Sequence, residues 1–419
     1  MKVIVLGAGV IGVTSAWYLT QAGHQVTVIE RQPGAGLETS YANGGQISVS
    51  HAEPWANPAA PAKVMRWLFR EDAPLLFRLR ADLQQWLWGL AFLRECLPAR
   101  ARRNTVQLVK LGLYSRAELT RLRRATGIQN DQLECGILHF FTEPDAHAHA
   151  GETAALMRAH GCDLELKRAE EVIAIEPALR PIAGSLLGAT YTPSDQSGDA
   201  YLFTARLAAL AAERGCEFLY NTAIEGLERS AERISGVRIR DDSGSRVLRA
   251  DAYVVALASY SPALLRPLGI RVCVYPAKGY SVTVPITDES RAPRVSLIDE
   301  SLKIVVSRLG ARLRIAGTAE FAGHDLSINR TRCEAILRRA QTLFPGAFDA
   351  SQAQFWTGLR PATPGNVPLI GRTRIPNLYL NTGHGTLGWT LACGSGRALA
   401  DIIGGRPPEV AFEFLRGRP

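Results

Sequence analysis

The 419-residue sequence contains no Cys-x-x-Cys pair. Its seven cysteines, Cys96, Cys135, Cys162, Cys216, Cys273, Cys333 and Cys393, are odd in number and widely spaced. That argues against a disulfide framework and against a structural zinc site, so no metal is expected. Most of the thiols should be small buried apolar groups in a reducing compartment. No stretch reaches the ~18 apolar residues that a membrane-spanning helix needs. The apolar start Val3-Ile4-Val5-Leu6 is interrupted by Gly7, Gly9 and Gly12 and lacks the long run of a signal peptide. The expected location is therefore the cytoplasm, or the periphery of a membrane. There is no internal repeat and no low-complexity tract. Charge of one sign is only mildly in excess: 48 Lys and Arg against 39 Asp and Glu give +9. Such an excess suits nucleic acid, an anionic membrane or an acidic substrate, and equally a solvated surface.

What is present begins with a strand over residues 2–6, short, β-branched and buried on both faces. A helix over 10–22 and a second strand, Gln25-Val26-Thr27-Val28-Ile29-Glu30, complete a βαβ unit. Between strand and helix lies Gly7-Ala8-Gly9-Val10-Ile11-Gly12, which matches G-x-G-x-x-G. The first glycine permits the tight turn, the second lets backbone approach a pyrophosphate, and the third lets helix and strand pack closely. The helix N-terminus adds free N–H groups and a positive dipole end. Glu30 can accept hydrogen bonds from ribose hydroxyls and disfavours a 2′-phosphate, which argues against NADP.

Two further features favour FAD over NAD. A Gly/Asn-rich loop follows directly, and its Ser40, Asn43, Gly44, Gly45 and Gln46 suit the edge of a flavin ring. Near the far end, Asn381-Thr382-Gly383-His384-Gly385-Thr386-Leu387-Gly388-Trp389 repeats the pattern of strand, glycine turn and helix start. Its N–H groups suit the negative charge of a reduced flavin. The plainer alternative for this turn is an ordinary αβ connection.

Residues 63–125 read as largely helical. Lys63-Val64-Met65-Arg66-Trp67-Leu68-Phe69-Arg70 and Trp86-Leu87-Trp88-Gly89-Leu90-Ala91-Phe92-Leu93-Arg94 mix bulky apolar with basic residues, and Arg100, Arg102 and Arg103 follow. This 63–103 stretch is expected either to contact a membrane surface or partner, or to bury itself as an amphipathic helix pair. Strands alternating over 272–318 suggest a second, largely antiparallel sheet.

Several segments carry a family resemblance: Val5-Leu6-Gly7-Ala8-Gly9-Val10-Ile11-Gly12, Ala42-Asn43-Gly44-Gly45-Gln46-Ile47-Ser48, Ser259-Tyr260-Ser261, Tyr275-Pro276-Ala277-Lys278-Gly279-Tyr280-Ser281, Phe355-Trp356-Thr357-Gly358-Leu359-Arg360-Pro361 and Leu380-Asn381-Thr382-Gly383-His384-Gly385-Thr386-Leu387-Gly388-Trp389-Thr390. Through them the chain resembles the D-amino acid oxidase superfamily of flavoproteins, and within it the bacterial dehydrogenases of D-amino acids. The resemblance implies an α/β protein: a Rossmann-like FAD-binding domain plus an α+β substrate domain with a mixed, largely antiparallel sheet and a helical insertion. The FAD-binding domain is expected over 1–62, 196–268 and 348–419, and the substrate domain over 63–195 and 269–347, with the insertion at about 63–125. It implies non-covalent FAD, oxidation of a D-amino acid or imino acid, and electrons leaving to a quinone or respiratory-chain acceptor at the inner membrane.

The expected cofactor-binding residues are Gly7, Gly9, Val10, Ile11, Gly12, Glu30, Arg31, Ser40, Asn43, Gly44, Gly45, Gln46, Ala258, Gly383, His384, Gly385, Thr386, Leu387 and Gly388. The candidate catalytic residues are Arg360 and His51. A guanidinium fork is the natural holder for a substrate carboxylate, and Arg360 sits where the related glycine-oxidising enzymes place theirs; the plainer alternative is a structural ion pair. His51 is either a base or a histidine that packs or faces water.

The chain departs from the family pattern in three places. It has Ser48-Val49-Ser50-His51 for Ser-Pro-Gly-Tyr, Glu300-Ser301-Leu302-Lys303 for Glu-Thr-Tyr-Lys, and Gly198-Asp199-Ala200 for Gly-Asp-Cys. The preferred substrate is therefore expected to differ from D-alanine if the missing tyrosines line the pocket. Competing readings are an oxidase of the same superfamily using oxygen on glycine, sarcosine or a cyclic imino acid such as D-proline or hydroxyproline; a flavoprotein that modifies a tRNA base; and a non-enzymatic flavin-binding scaffold. The sequence carries no RNA-binding module, so no nucleic-acid partner is expected.

Overall fold

The computed structural model describes residues 1–67 and 74–417; Leu68, Phe69 and Arg70 of the basic aromatic stretch lie outside the described residues. The β-branched segment Lys2–Leu6 is the inner strand of a seven-stranded sheet. It pairs in parallel with Gln25–Ile29 on one side and Ala252–Val255 on the other. Glu217–Leu219 extends the sheet beyond Gln25–Ile29. Leu378–Thr382, Leu369–Arg372 and Leu415–Arg416 extend it beyond Ala252–Val255. Strands buried on both faces read as near-continuous apolar runs, which is the composition seen here. The helices Val10–Gln21 and Gly388–Ile403 pack on this sheet, and Thr14 Oγ1 donates to Ala392 O at 3.0 Å between them.

A nine-stranded, mixed sheet forms the second layer system. Its long members Tyr275–Pro285, Arg312–Phe321, Ile304–Leu309 and Gln354–Ala362 run antiparallel to one another where they pair. Ile137–Phe141 joins in parallel beside Ser296–Asp299. The helix Arg330–Leu343 buries Cys333, Ile336, Ala340 and Leu343 against it.

Two segments fall on the other side of the division drawn from the sequence. Gln354–Ala362, inside the stretch 348–419, is hydrogen-bonded along its length to Tyr275–Pro285 and so belongs to the nine-stranded sheet. The helix Pro98–Thr126, most of the expected insertion 63–125, buries Leu108, Val109, Leu111 and Leu119 in the core under the seven-stranded sheet. The physical reason is its contact with the helix Gly388–Ile403, where Ser115 Oγ accepts the Gly394 N–H at 3.0 Å. Only the shorter helices Ala60–Trp67 and Leu83–Glu95 stand apart from that core, with the strand Leu75–Phe77 between them.

All seven cysteines are free, and five are buried. Among the described residues no helix is long and apolar enough to cross a membrane.

Candidate active site

One cavity of about 1600 Å³ runs between the two sheets. Ordinary small-ligand sites span ~300–1,000 Å³, so this one has room for a dinucleotide and a second small molecule. Of the residues singled out above, all but Gly12 line it.

At one end stands the first glycine loop. Gly7 has φ of +102°, and its N–H donates to Ile29 O at 2.8 Å. Gly12 lies behind the wall: a Cβ there would sit 1.9 Å from Gly7 O. Gly9 faces the cavity, and a Cβ on it would meet nothing nearer than Ser40 Oγ at 3.7 Å. The loop thus leaves a backbone cradle at Gly9 that any side chain would fill, which fits a bound pyrophosphate. No side chain caps the helix Val10–Gln21 through its Gly9 N-cap, although Ser40 Oγ accepts the Val10 N–H at 3.0 Å.

Glu30 does more than wait for a ribose. Its Oε2 accepts Ala8 N–H at 2.8 Å and its Oε1 accepts Gln32 N–H at 2.9 Å, so it braces the glycine loop. Burial raises its pKa, against the pull of those two N–H groups. Arg31 is paired with Glu38 at 2.5 Å and lies over the Tyr260 ring, 4.2 Å from its centroid. Ala258, at φ +49°, turns the chain beside them, and its carbonyl accepts the Thr382 hydroxyl at 3.1 Å.

The loop at 40–46 is clasped by the nine-stranded sheet and by Gly198. Asn43 Oδ1 accepts Gly45 N–H at 2.9 Å, and Ser307 donates to Gly44 O at 2.7 Å. Gln46 Nε2 reaches Ser296 Oγ at 2.8 Å, and Gly45 O accepts Gly198 N–H at 2.7 Å. Opposite it is the second glycine turn. His384 is buried and tied to Ser395 Oγ at 2.9 Å, and burial drives its pKa down to about 3, so the ring is neutral. What this turn offers the cavity is backbone at Gly383, Gly385, Thr386 and Leu387 and the start of the 16-residue helix at Gly388. Asn381 also lines the wall; its Nδ2 donates to Ser15 Oγ at 2.9 Å, and its buried Oδ1 has no partner among the described residues. An orphaned buried acceptor of this kind is matched by a ligand donor.

The other end is built on the nine-stranded sheet. Arg360 Nη1 donates to Thr318 O at 2.9 Å. A bulge makes this possible: the register slips between Lys278 and Tyr280, and Thr318 adopts φ of +56°, an outlier for a β-branched residue. The guanidinium lies flat on Gly279, where a Cβ would fall 2.1 Å from Nη1. No acidic side chain pairs with Arg360 among the described residues. Burial alone pulls its pKa down to about 10, so it is a cation without a counter-ion. Trp55, Tyr280, Phe321 and Trp356 line the cavity around it.

His51 faces the same space. Burial first, and then the neighbouring His139, push its pKa down to about 4. Its ring centroid is 5.8 Å from that of His139. The sequence did not single out His139 or Thr318, and it named Ser50 only within a departure from the family pattern. Its one hint of His139 was a polar residue inside the apolar strand Ile137–Phe141. His139 Nδ1 lies 3.1 Å from Glu300 Oε1, and Nε2 lies 3.0 Å from Ser50 Oγ. Lys303 pairs with the other Glu300 oxygen. Burial works to raise the Glu300 pKa, but Lys303 and His139 outweigh it and hold the carboxylate well below the usual range.

A family model described as FAD dependent oxidoreductase matches residues 2–402. The chain is 55% identical over 417 residues to a D-amino acid dehydrogenase of Dechloromonas aromatica (strain RCB), spanning 99% of this chain and 100% of that protein. It is 52% identical over 416 residues to a D-amino acid dehydrogenase of Paramagnetospirillum magneticum, spanning 99% and 98%. Among solved structures, the L-proline dehydrogenase from P. horikoshii superposes with a TM-score of 0.75 at 18% identity over 97% of this chain and 94% of that one. The glycine oxidase from Bacillus cereus ATCC 14579 gives 0.72 at 24% identity over 96% and 95%. At such identities the structural likeness speaks for the fold.

Proposed function

The chain belongs to the FAD dependent oxidoreductase family, and on that footing we propose that it oxidises D-amino acids to 2-imino acids, which water converts to 2-oxo acids and ammonia. The observation that carries this reading is Arg360, a part-buried guanidinium in the wall of the cavity that has no acidic partner among the described residues. A buried cation without a counter-ion is costly unless a ligand supplies one. A substrate carboxylate does so, and the planar fork fixes its orientation as well as its charge. The names of the full-length relatives support the choice of D-amino acids.

FAD, when bound, supplies the acceptor for the hydride from Cα. The protein's own contribution is placement. The glycine cradle, the clasped loop at 40–46 and the turn at 383–388 hold the cofactor. Arg360, aimed by the bulged carbonyl of Thr318, holds the carboxylate end of the substrate. His51, a neutral imidazole facing the cavity, accepts a hydrogen bond from the substrate's amino group. Trp55, Phe321 and Trp356 keep water from the reacting carbon. Non-covalent attachment is supported by the lining, which includes no cysteine among the described residues, and by His384 being engaged with Ser395. We assign 1–62, 196–268 and 363–419 to the cofactor half, together with the helix Pro98–Thr126, and the remainder to the substrate half.

The test is anaerobic mixing of the purified yellow protein with D- and L-amino acids and cyclic imino acids. D-amino acids should bleach the flavin while their L-enantiomers leave it oxidised. Bleaching by none of them would sink the reading. Electrons are proposed to pass to a quinone or other respiratory-chain acceptor. A high peroxide yield in air with no reduction of a quinone-like dye would overturn that part and point to an oxidase.

A surface feature bears on the acceptor. On the helix Leu83–Glu95, the residues Leu83, Trp86, Leu87, Leu90 and Leu93 are all more than half exposed, and Leu79 and Leu97 flank them. The spacing puts them on one stripe, while Trp88 and Phe92 on the opposite face are buried. Exposed Arg80, Arg94 and Arg102 lie on the same stretch of chain. Exposed apolar residues interspersed in sequence with cations fit the headgroup region of an anionic bilayer, where a lipid-soluble quinone is found. We therefore place the chain at the membrane periphery. It should co-sediment with vesicles rich in anionic lipid, and replacing Leu87 and Leu90 by glutamate should abolish this without altering oxidation of D-amino acids by a soluble dye. Equal recovery with anionic and neutral vesicles, or a concentration-dependent dimer that the two glutamates dissolve, would refute the lipid surface.

A further inference from the structure

Ser50, His139 and Glu300 come from three distant parts of the chain and meet in the wall of the cavity. Ser50 belongs to the short 3-10 turn Val49–His51, His139 to the strand Ile137–Phe141, and Glu300 to the turn after Ser296–Asp299. The hydrogen bonds run in series: Ser50 Oγ to His139 Nε2 at 3.0 Å, then His139 Nδ1 to Glu300 Oε1 at 3.1 Å. The ionised Glu300 can only accept, so Nδ1 carries the proton and Nε2 presents its lone pair to the serine hydroxyl. Hydroxyl, imidazole and carboxylate in this order form a unit that moves a proton from the first member to the second. Here the hydroxyl faces a cavity in which an amino acid is proposed to bind.

We propose that Ser50, His139 and Glu300 form a proton-accepting triad for the amino group of the bound substrate. This rests on the D-amino acid reading above. An amino acid arrives as its ammonium form, and Cα gives up hydride readily only from the free amine. One N–H bond of the ammonium breaks and its electron pair stays on nitrogen. The proton joins Ser50 Oγ as the Ser50 hydroxyl proton passes to His139 Nε2. The product of the step is a neutral amine and an imidazolium held by Glu300, with no change in oxidation state. Ser50 is the group that touches substrate; His139 and Glu300 act through it.

The surroundings are set for this charge. Facing His139 are His51 from the same turn as Ser50, Glu300 and Lys303 from the turn after Ser296–Asp299, and Thr190 from the paired strand Gly188–Thr192. Asp195 lies behind Ser50, accepting its backbone N–H at 3.0 Å, bonding to its hydroxyl as well and pairing with Arg116 at 3.0 Å, while Ser48 Oγ lies 3.1 Å from Ser50 Oγ. Arg360 completes the ring. Lys303 neutralises one oxygen of Glu300 and leaves the other to His139. His51, next door, holds protons poorly, so it serves as a hydrogen-bond acceptor while the triad stores the charge. Position 50 is one of the departures noted in the sequence, where the family pattern has glycine. The triad is suited to taking substrates at a pH where little free amine exists.

The test compares wild type with Ser50→Ala and His139→Asn, each checked for FAD content and melting temperature. Anaerobic flavin reduction by a D-amino acid is followed from pH 6 to 10. Near pH 7 both variants should be slower by roughly 10²-fold. Toward pH 10, where the substrate brings its own free amine, they should converge on wild type. Rates and pH profiles equal to wild type, or a slowdown uniform across pH, would overturn the triad. A readout independent of turnover uses 2-aminoisobutyrate, which has the ammonium and carboxylate but no Cα–H. Its binding to ¹⁵N-histidine-labelled holoenzyme should convert one ring, absent in His139→Asn, to imidazolium, and should not do so in Ser50→Ala. If no ring changes charge in wild type, the triad fails. If wild type is not reduced by any D-amino acid, the functional reading fails first and the triad with it; reduction of wild type with unchanged variants removes the triad alone.

Discussion

Arg360→Leu is expected to lower kcat/KM for a D-amino acid by roughly 30- to 3,000-fold, the equivalent of ~2–5 kcal/mol for truncating one partner of a buried, hydrogen-bonded charge pair. The loss should fall on both constants. KM rises because the carboxylate loses its counter-charge, and kcat falls because Cα–H is no longer aimed. FAD content should be unchanged, since among the described residues Arg360 bonds only to Thr318 O, at 2.9 Å, and stands at the sheet end of the cavity. The folded state should be no weaker, and the apo form somewhat stronger, because the variant removes a cation that burial disfavours. Arg360→Lys keeps the charge but loses the fork, so it should lie between the two. Steady-state kinetics beside a thermal melt decide the matter. Kinetics within threefold of wild type would mean that the carboxylate is held elsewhere, and a collapse in melting temperature would mean that Arg360 is structural.

The second large effect separates two glycines three residues apart. In Gly12→Ala the new methyl would meet Gly7 O at 1.9 Å. Neither side can give way easily. The Gly7 N–H is bonded to Ile29 O at 2.8 Å, and the Ala256 N–H to Leu6 O at 3.0 Å, locking the turn to the sheet. The helix Val10–Gln21 must move off its strand, at a cost on the order of 3 kcal/mol or more. Apo and holo protein should both melt earlier. In Gly9→Ala the methyl meets only Ser40 Oγ, at 3.7 Å, and enters the cavity instead. Apo stability should be unchanged while FAD affinity falls about tenfold or more, ~1.4 kcal/mol per decade. Flavin released into a filtrate, measured beside apo melting curves, tells the two apart. Wild-type flavin affinity in Gly9→Ala would remove the cradle from the site.

The first of these glycines was legible in the sequence for a reason. Strand, loop and helix are contiguous, so the demands on Gly7, Gly9 and Gly12 are written within six residues. The paired strands of the second sheet were legible too, because alternation in 272–318 is a local signal. Other features depend on what arrives from afar. Glu30 was expected at a ribose, and it also braces the loop through Ala8 and Gln32, which only the folded turn reveals. His384 was expected at the flavin; its imidazole is turned to Ser395 and its backbone faces the cavity. The helix Pro98–Thr126 has an apolar stripe that says it is buried but not against which sheet, and its partner lies some 280 residues on. The triad was the least legible of all. Ser50, His139 and Glu300 are separated by 89 and 161 positions, and a lone histidine in an apolar strand carries no sign of its neighbours. The bulge at Thr318 that aims Arg360 was equally hidden, since nothing in Gly-Thr-Ala announces a left-handed threonine.

The place of Lys2–Leu6 inside its sheet has a consequence for how the molecule is made. One flank is filled by Gln25–Ile29 almost at once, but the other must wait for Ala252–Val255. The helix that follows waits longer, since Thr14 bonds to Ala392, 378 residues later. On a ribosome adding ~5–20 residues per second, that interval is roughly 20–80 s. For all that time the first glycine loop is a half-built nest with an open apolar strand edge beside it, a form open to aggregation and to chaperones. The cofactor site closes only after the segment around Ala392 has been made, so flavin loading must wait for it, and high contact order makes loading slow.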